Sequence, residues 1–79
     1  MIPPYSPAIL RELLRRHGLT GSQAARMMAV DSRAVRKWCS PEDRSTHRDI
    51  PRNAWLLLLL LTGESTIKDV LSAINSESN

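Results

Sequence analysis

A chain of 79 residues with eleven Lys and Arg against eight Asp and Glu, net charge +3, has room for one small core and not for two. Aromatic residues make up 4% and Phe is absent, which argues against a β-sandwich and leaves a core of Leu, Ile, Val, Met and Ala suited to packed helices. The single cysteine, Cys39, excludes an intrachain disulfide and suits a reducing cytoplasm, and the opening Met-Ile-Pro-Pro-Tyr-Ser-Pro lacks the basic start and long apolar run of a secretion signal.

Residues 1–5, with two prolines, read as a flexible arm with little to pack. Ser6 followed by Pro7 is a helix start, because Ser caps and Pro takes the first helical position, where no N–H is required. Leu10, Leu13 and Leu14 then form an apolar stripe, Arg11, Glu12, Arg15 and Arg16 fill the opposite face, and Gly18 ends the helix. Thr20 and Gln23, spaced as a capping box, open a second helix that continues to Met28. In it Ala24 and Ala25 let another helix approach closely, and Met27 and Met28 fill the space beneath. Ala29-Val30 is a turn, and Asp31 or Ser32 caps a third helix whose Val35 and Trp38 face inward. Ser40-Pro41 repeats the start signal and predicts a single helical turn, followed by a polar, basic loop from Arg44 to Arg52. Pro51 opens a fourth helix that runs through Trp55 and six leucines to Thr62, with Gly63 closing it. Thr66 and Asp69 form a second capping box, Ile67, Val70, Leu71 and Ile74 give a fifth amphipathic helix, and Ser76 to Asn79 are expected to fray. No stretch alternates apolar and polar residues for long, so the expected class is all-α, a compact five-helix domain spanning residues 1–79. Trp55 to Leu61 is apolar throughout but far shorter than the roughly 20 residues that span a bilayer.

Charge is unevenly placed. Residues 1–52 hold ten Lys and Arg against five Asp and Glu, for +5, whereas residues 53–79 hold one Lys against three, for −2. Residues 6–50 therefore read as a part that faces DNA and residues 51–75 as helices for assembly. Two short helices joined by a tight turn, the second carrying cations outward, present a recognition helix to the major groove of duplex DNA. Ser32, Arg33, Arg36 and Lys37 fall on that outer side and are the expected base-reading residues; an Arg there can donate two hydrogen bonds to N7 and O6 of a guanine. The alternative is that these charges are a solvated helix face. Thr20, Ser22 and Gln23 lie at the N-terminus of the second helix, where unpaired N–H groups and the positive end of the dipole suit a phosphate, and Arg26, Arg44 and Arg48 are further phosphate candidates. For Arg44 a salt bridge to Glu42 or Asp43 competes with that role.

The leucine-rich helix is apolar on every side, so one face packs on the core and the rest needs the fifth helix or a second chain. A two-fold homodimer is the expectation, with Trp55, Leu58, Leu59 and Leu71 at the interface; coverage by the fifth helix alone is the other reading. Paired recognition helices about 34 Å apart match half-sites one turn apart and imply an inverted-repeat target. Enzymatic chemistry is poorly supported: His17, His47 and Cys39 have no recognisable metal-ligand spacing, and neither a phosphate-cradling glycine loop nor a nucleophile–base pair is present, so no cofactor or metal is expected. His17 is expected to meet helix-end carbonyls, and Cys39 to be a small buried hydrophobe. A membrane-surface role is disfavoured because the leucine run has no basic polar face.

Leu10 to Glu64, about two thirds of the chain, resembles the phage-repressor type of helix-turn-helix domain known as the Cro/C1 or Xre family. The matching residues are Gly18-Leu19-Thr20, Ala24-Ala25, Val30, Val35 and Trp38, then Ile50-Pro51 opening the next helix. The resemblance implies a lambda-repressor-like fold, operator binding as a dimer and repression of transcription in a bacterial cytoplasm, with positions 32, 33, 36 and 37 reading bases and Gln23 contacting phosphate. The chain departs from the pattern at Ala29, where a turn glycine is usual, at Gly21, where a polar side chain often helps contact DNA, and in the long loop from Ser40 to Ile50. Small size and a basic recognition face are also similar to the anti-CRISPR-associated autoregulators of phage operons. An antitoxin-type regulator, which also binds a partner protein through its leucine-rich helix, is the alternative.

Overall fold

The computed structural model describes residues 2–77; Met1 of the expected arm, and Ser78 and Asn79 of the expected frayed end, lie outside them. Five helices follow in chain order: α1 (Pro7–Arg16), α2 (Gly21–Met28), α3 (Ser32–Cys39), α4 (Arg52–Thr62) and α5 (Ile67–Glu77), with no strand among the described residues. Local chemistry accounts for the starts. Ser6 Oγ accepts from the Ile9 N–H at 3.1 Å, and Pro7 opens α1. Thr20 and Gln23 form both halves of the capping box. Asp31 caps α3 by accepting from the Arg33 N–H at 2.8 Å, and Thr66 caps α5 by accepting from Asp69 at 3.1 Å. Only α4 begins without a side-chain cap, immediately after Pro51.

Three helices end in the same way. Leu19 N–H donates to Leu14 O, Val30 to Ala25 O and Glu64 to Leu59 O, each closing a turn whose pivot residue is left-handed. The pivots are Gly18 (φ 63°), Ala29 (φ 58°) and Gly63 (φ 77°). Two are glycines, for which this backbone costs little; Ala29 adopts it with a Cβ.

Packing follows the apolar stripes. α3 packs on α1 and α2, α4 on α2, and α5 on α4. Leu10, Leu13 and Leu14 of α1 meet Ala24, Ala25 and Met28 of α2, Val35 and Trp38 of α3, and Trp55, Leu58 and Leu59 of α4 in one buried cluster, closed by Ile50. Ala24 and Ala25 are 0% and 2% exposed, which is the close helix approach their small side chains permit.

Several expectations are corrected. Trp55, Leu58 and Leu59 are 1%, 0% and 0% exposed within the single chain; they are its core and have no surface to give an interface. Leu71 remains 54% exposed. The reason is register: Trp55, Leu58 and Leu59 share the side of α4 that meets α2, while Leu57 and Leu61 point away. Met27 is 40% exposed, so Met28 alone of the pair fills the core. Residues 2–5 are docked rather than loose. Trp55 Nε1 donates to Pro3 O at 2.9 Å, Tyr5 packs edge-on against the Trp55 ring, and Ile2 and Tyr5 lie against the core. Two consecutive turns, closed by Arg44 N to Pro41 O and His47 N to Arg44 O, replace the expected helical turn after Ser40. His17 pairs with Glu64 at 2.9 Å instead of with helix-end carbonyls, and Arg16 bonds the same carboxylate, fastening α1 to the α4–α5 turn. Ser76 is helical, since α5 reaches Glu77.

Candidate nucleic-acid interface

α2 and α3 are eight residues each and are joined by residues 29–31, the geometry of two short helices about a tight turn. The buried Val35 and Trp38 fix the rotation of α3, and the same rotation leaves Ser32, Arg33, Arg36 and Lys37 exposed. They divide between two grooves. Thr20, Gly21 and Ser22 of α2 line one, of about 320 Å³, with Ser32 and Arg36 of α3. Arg33 and Lys37 line the other with Arg48, from the loop before α4. Gln23, Arg26 and Arg44 are exposed but line neither groove.

The first groove is rich in donors. Gly21 and Ser22 stand in the first turn of α2, where a backbone N–H has no acceptor within the helix. The capping box occupies an acceptor on each side chain, as Thr20 Oγ1 accepts from Gln23 N at 3.1 Å and Gln23 Oε1 from Thr20 N at 2.8 Å. The Thr20 hydroxyl proton and the Gln23 amide hydrogens stay available, and these are what a phosphate oxygen needs. A Cβ on Gly21 would sit 3.7 Å from Val35 Cγ1, an ordinary contact, so that position takes a side chain without moving the helices.

The second groove is more constrained. Arg33 bonds the carboxylate of its own cap residue, Nη2 to Asp31 Oδ2 at 3.2 Å. Arg33 hydrogen bonds hold the Asp31 carboxyl below the usual carboxylate range. Both side chains are mostly exposed, so the pair is a weak tether rather than a source of stability. Arg48 Nη1 donates to His47 O at 2.7 Å, turning its guanidinium back onto the loop. Arg26, Arg36, Lys37 and Arg44 have no ion pair with another described residue, and the expected contest between Arg44 and Glu42 or Asp43 does not arise.

Sequence reasoning missed what holds the far end of α3. Its last carbonyls have acceptor capacity that no helical N–H fills. Each is taken: Arg36 O by Ser40 Oγ at 2.9 Å, Lys37 O by Ser40 N and Arg48 N at 3.3 Å each, Trp38 O by the Tyr5 hydroxyl at 2.6 Å, and Cys39 O by the Arg11 guanidinium. Ser40 O, just beyond, accepts from His47 Nδ1 at 2.8 Å. A signal existed for Tyr5, an aromatic immediately before the Ser6 cap, where a residue that packs back on the helix is common. None existed for Arg11 or His47, whose partners lie 28 and 7 residues away. Cys39 is half-buried, and burial pushes its thiol up, which disfavours the reactive thiolate.

Among the described residues no cluster of three His, Cys, Asp or Glu is placed to hold a metal ion, and no helix is long and apolar enough to cross a membrane. No family model, curated protein or solved structure matches the chain.

Proposed function

We propose that this protein is a sequence-specific double-stranded-DNA-binding repressor of the phage-repressor helix-turn-helix type, acting as a homodimer on an inverted repeat in a bacterial cytoplasm. The carrying observation is the outward pair Arg36 and Lys37 on α3, without ion pairs, Arg36 on the groove edged by the start of α2 and Lys37 on the groove it shares with Arg33 and Arg48. Ser32 and Arg33 complete the base-reading set, and Thr20, Ser22, Gln23, Arg26, Arg44 and Arg48 provide backbone contacts. By resemblance, the target is the promoter of a phage operon of the anti-CRISPR type that includes the repressor's own gene.

Dimer formation is supported by where apolar surface remains. Leu57, Leu61, Ile67 and Leu71, 39–68% exposed, all lie on α4, α5 or the start of α5. A second copy covers that surface and leaves α3 to DNA. The alternative, an antitoxin-type regulator, draws on the apolar groove of about 410 Å³ between α4 and α5, lined by Leu56, Leu57, Leu60, Val70 and Ile74. Sedimentation of the pure protein separates the two: a dimer favours the repressor, and an aggregating monomer favours a missing partner.

Selection of bound fragments from random duplex DNA, then gel shifts over salt, tests the main reading. Arg36→Ala is expected to weaken the selected site by about 1–3 kcal/mol and relax specificity at one base pair. Arg44→Ala is expected to weaken all duplexes evenly and lower the salt slope by about 1. Unchanged affinity in Arg36→Ala and Lys37→Ala together removes the assignment.

A further inference from the structure

We infer that His47 is a positioning residue that latches the basic loop of Arg44 and Arg48 onto the end of α3, and that the latch closes only when both of its ring nitrogens carry protons. Ring geometry is the basis. Nδ1 lies 2.8 Å from Ser40 O and Nε2 lies 2.7 Å from Asp49 Oδ1, with the side chain 9% exposed. Both partners are acceptors in their ordinary states. Neutral imidazole has one N–H and one lone pair, so in that form one of the two contacts sets a lone pair against an oxygen. Imidazolium satisfies both.

The backbone of the same residue ties the cations together. His47 N–H donates to Arg44 O at 3.0 Å, and His47 O accepts from the Arg48 guanidinium at 2.7 Å. Arg48 N–H in turn donates to Lys37 O at 3.3 Å. The ring thus fixes a segment that touches Arg44, Arg48 and α3 at once.

The charged surroundings favour protonation. Asp49 touches the ring, and Glu42 acts on it from the same loop. Other groups at the same end of α3 are Arg11 of α1, on the Cys39 carbonyl, the Cys39 thiol itself, and the Tyr5 hydroxyl on Trp38 O. Burial pushes the Cys39 and Tyr5 groups up, away from the range in which histidine titrates. The Asp49 hydrogen bond, foremost, raises His47 above the usual histidine value. The sign follows: a group raised on folding contributes fully below its unfolded pKa, about 6.5, and its contribution is lost as pH rises through the folded value.

Two measurements test the latch. In the protein without DNA, NMR titration of the His47 ring is expected to give a midpoint above the ordinary value. The Ser40, Lys37 and Arg48 amides should move at that same midpoint. Asp49→Asn lowers the midpoint, and in His47→Gln the amide response disappears. A ring that titrates at or below the ordinary value, or amides that ignore it, overturns the latch.

The second measurement rests on the DNA-binding reading and uses a random-sequence duplex at low salt. Wild type is expected to lose about threefold or more in affinity between about pH 6 and about pH 8.5, and His17→Gln to keep that loss, while His47→Gln is flat. A loss that persists in His47→Gln overturns the role of the latch in DNA binding. If no variant binds the duplex at any pH, the DNA-binding reading is what fails, and the latch is decided by the ring and amide titrations alone.

Discussion

Ala29 sits at φ 58°, ψ 43°, a conformation in which its Cβ crowds the backbone. Gly18 and Gly63 close their helices with the same hydrogen-bond pair and no such cost. Ala29→Gly is therefore expected to stabilise the protein. The left-handed penalty of about 1–2 kcal/mol is relieved, and the greater freedom of glycine in the unfolded chain returns part of it. The net gain is about 0.5–1 kcal/mol, a rise of a few degrees in Tm by calorimetry. Asp31 raises a different issue, because one carboxylate both caps α3 and holds the Arg33 side chain. Asn caps as well as Asp and carries no charge. Asp31→Asn should leave melting nearly unchanged and tighten duplex binding, since Arg33 is released and a repulsive charge leaves the surface. Weaker binding with unchanged melting, read by fluorescence anisotropy, would place Arg33 off the DNA path.

At the scale of the element, α3 draws much of its support from outside itself. Eight residues are too few for an isolated helix to persist in water, so its stability comes from packing and from its ends. Asp31 holds one end; Tyr5, Arg11, Ser40 and Arg48 hold the other. Tyr5→Phe keeps the ring against Trp55 and removes the donor to Trp38 O, together with the hydroxyl's backbone hydrogen bond with Ile50. About 1 kcal/mol of stability should be lost, with faster amide exchange concentrated in the last turn of α3. Uniform exchange across all helices would mean that the hydroxyl does not support this end. Helix starts were legible because caps are local: Ser6, Thr20, Asp31 and Thr66 each act on an N–H two or three residues on. The C-terminal support of α3 was not legible, because Arg11 and Tyr5 reach it from 28 and 33 residues away.

For the molecule as a whole, the leucine helix carries part of the surface assigned to the proposed dimer. Its core side is spent within the chain, and Leu56 is buried beside Val70 of α5, yet Leu57 and Leu61 remain partly in solvent with Ile67 and Leu71. Leu71→Glu places a charge on that surface without touching the core, since Leu71 is 54% exposed. Sedimentation should then report a monomer with wild-type helicity, and affinity for an inverted repeat should fall far more than affinity for a single half-site. A dimer that survives Leu71→Glu would move the interface off α5.

Five helices, their caps, the turn at Ala29 and the outward set Ser32, Arg33, Arg36 and Lys37 were fixed by short-range chemistry and a 3.6-residue period, which one stretch of sequence carries within itself. Which leucines of an all-apolar helix become core was decided only when α4 met α2, because periodicity is silent where every position is apolar. The same holds for the docked residues 2–5 and the His47 contact with Ser40 O. Each depends on groups brought within hydrogen-bond reach by the fold, and linear spacing carries no measure of that distance.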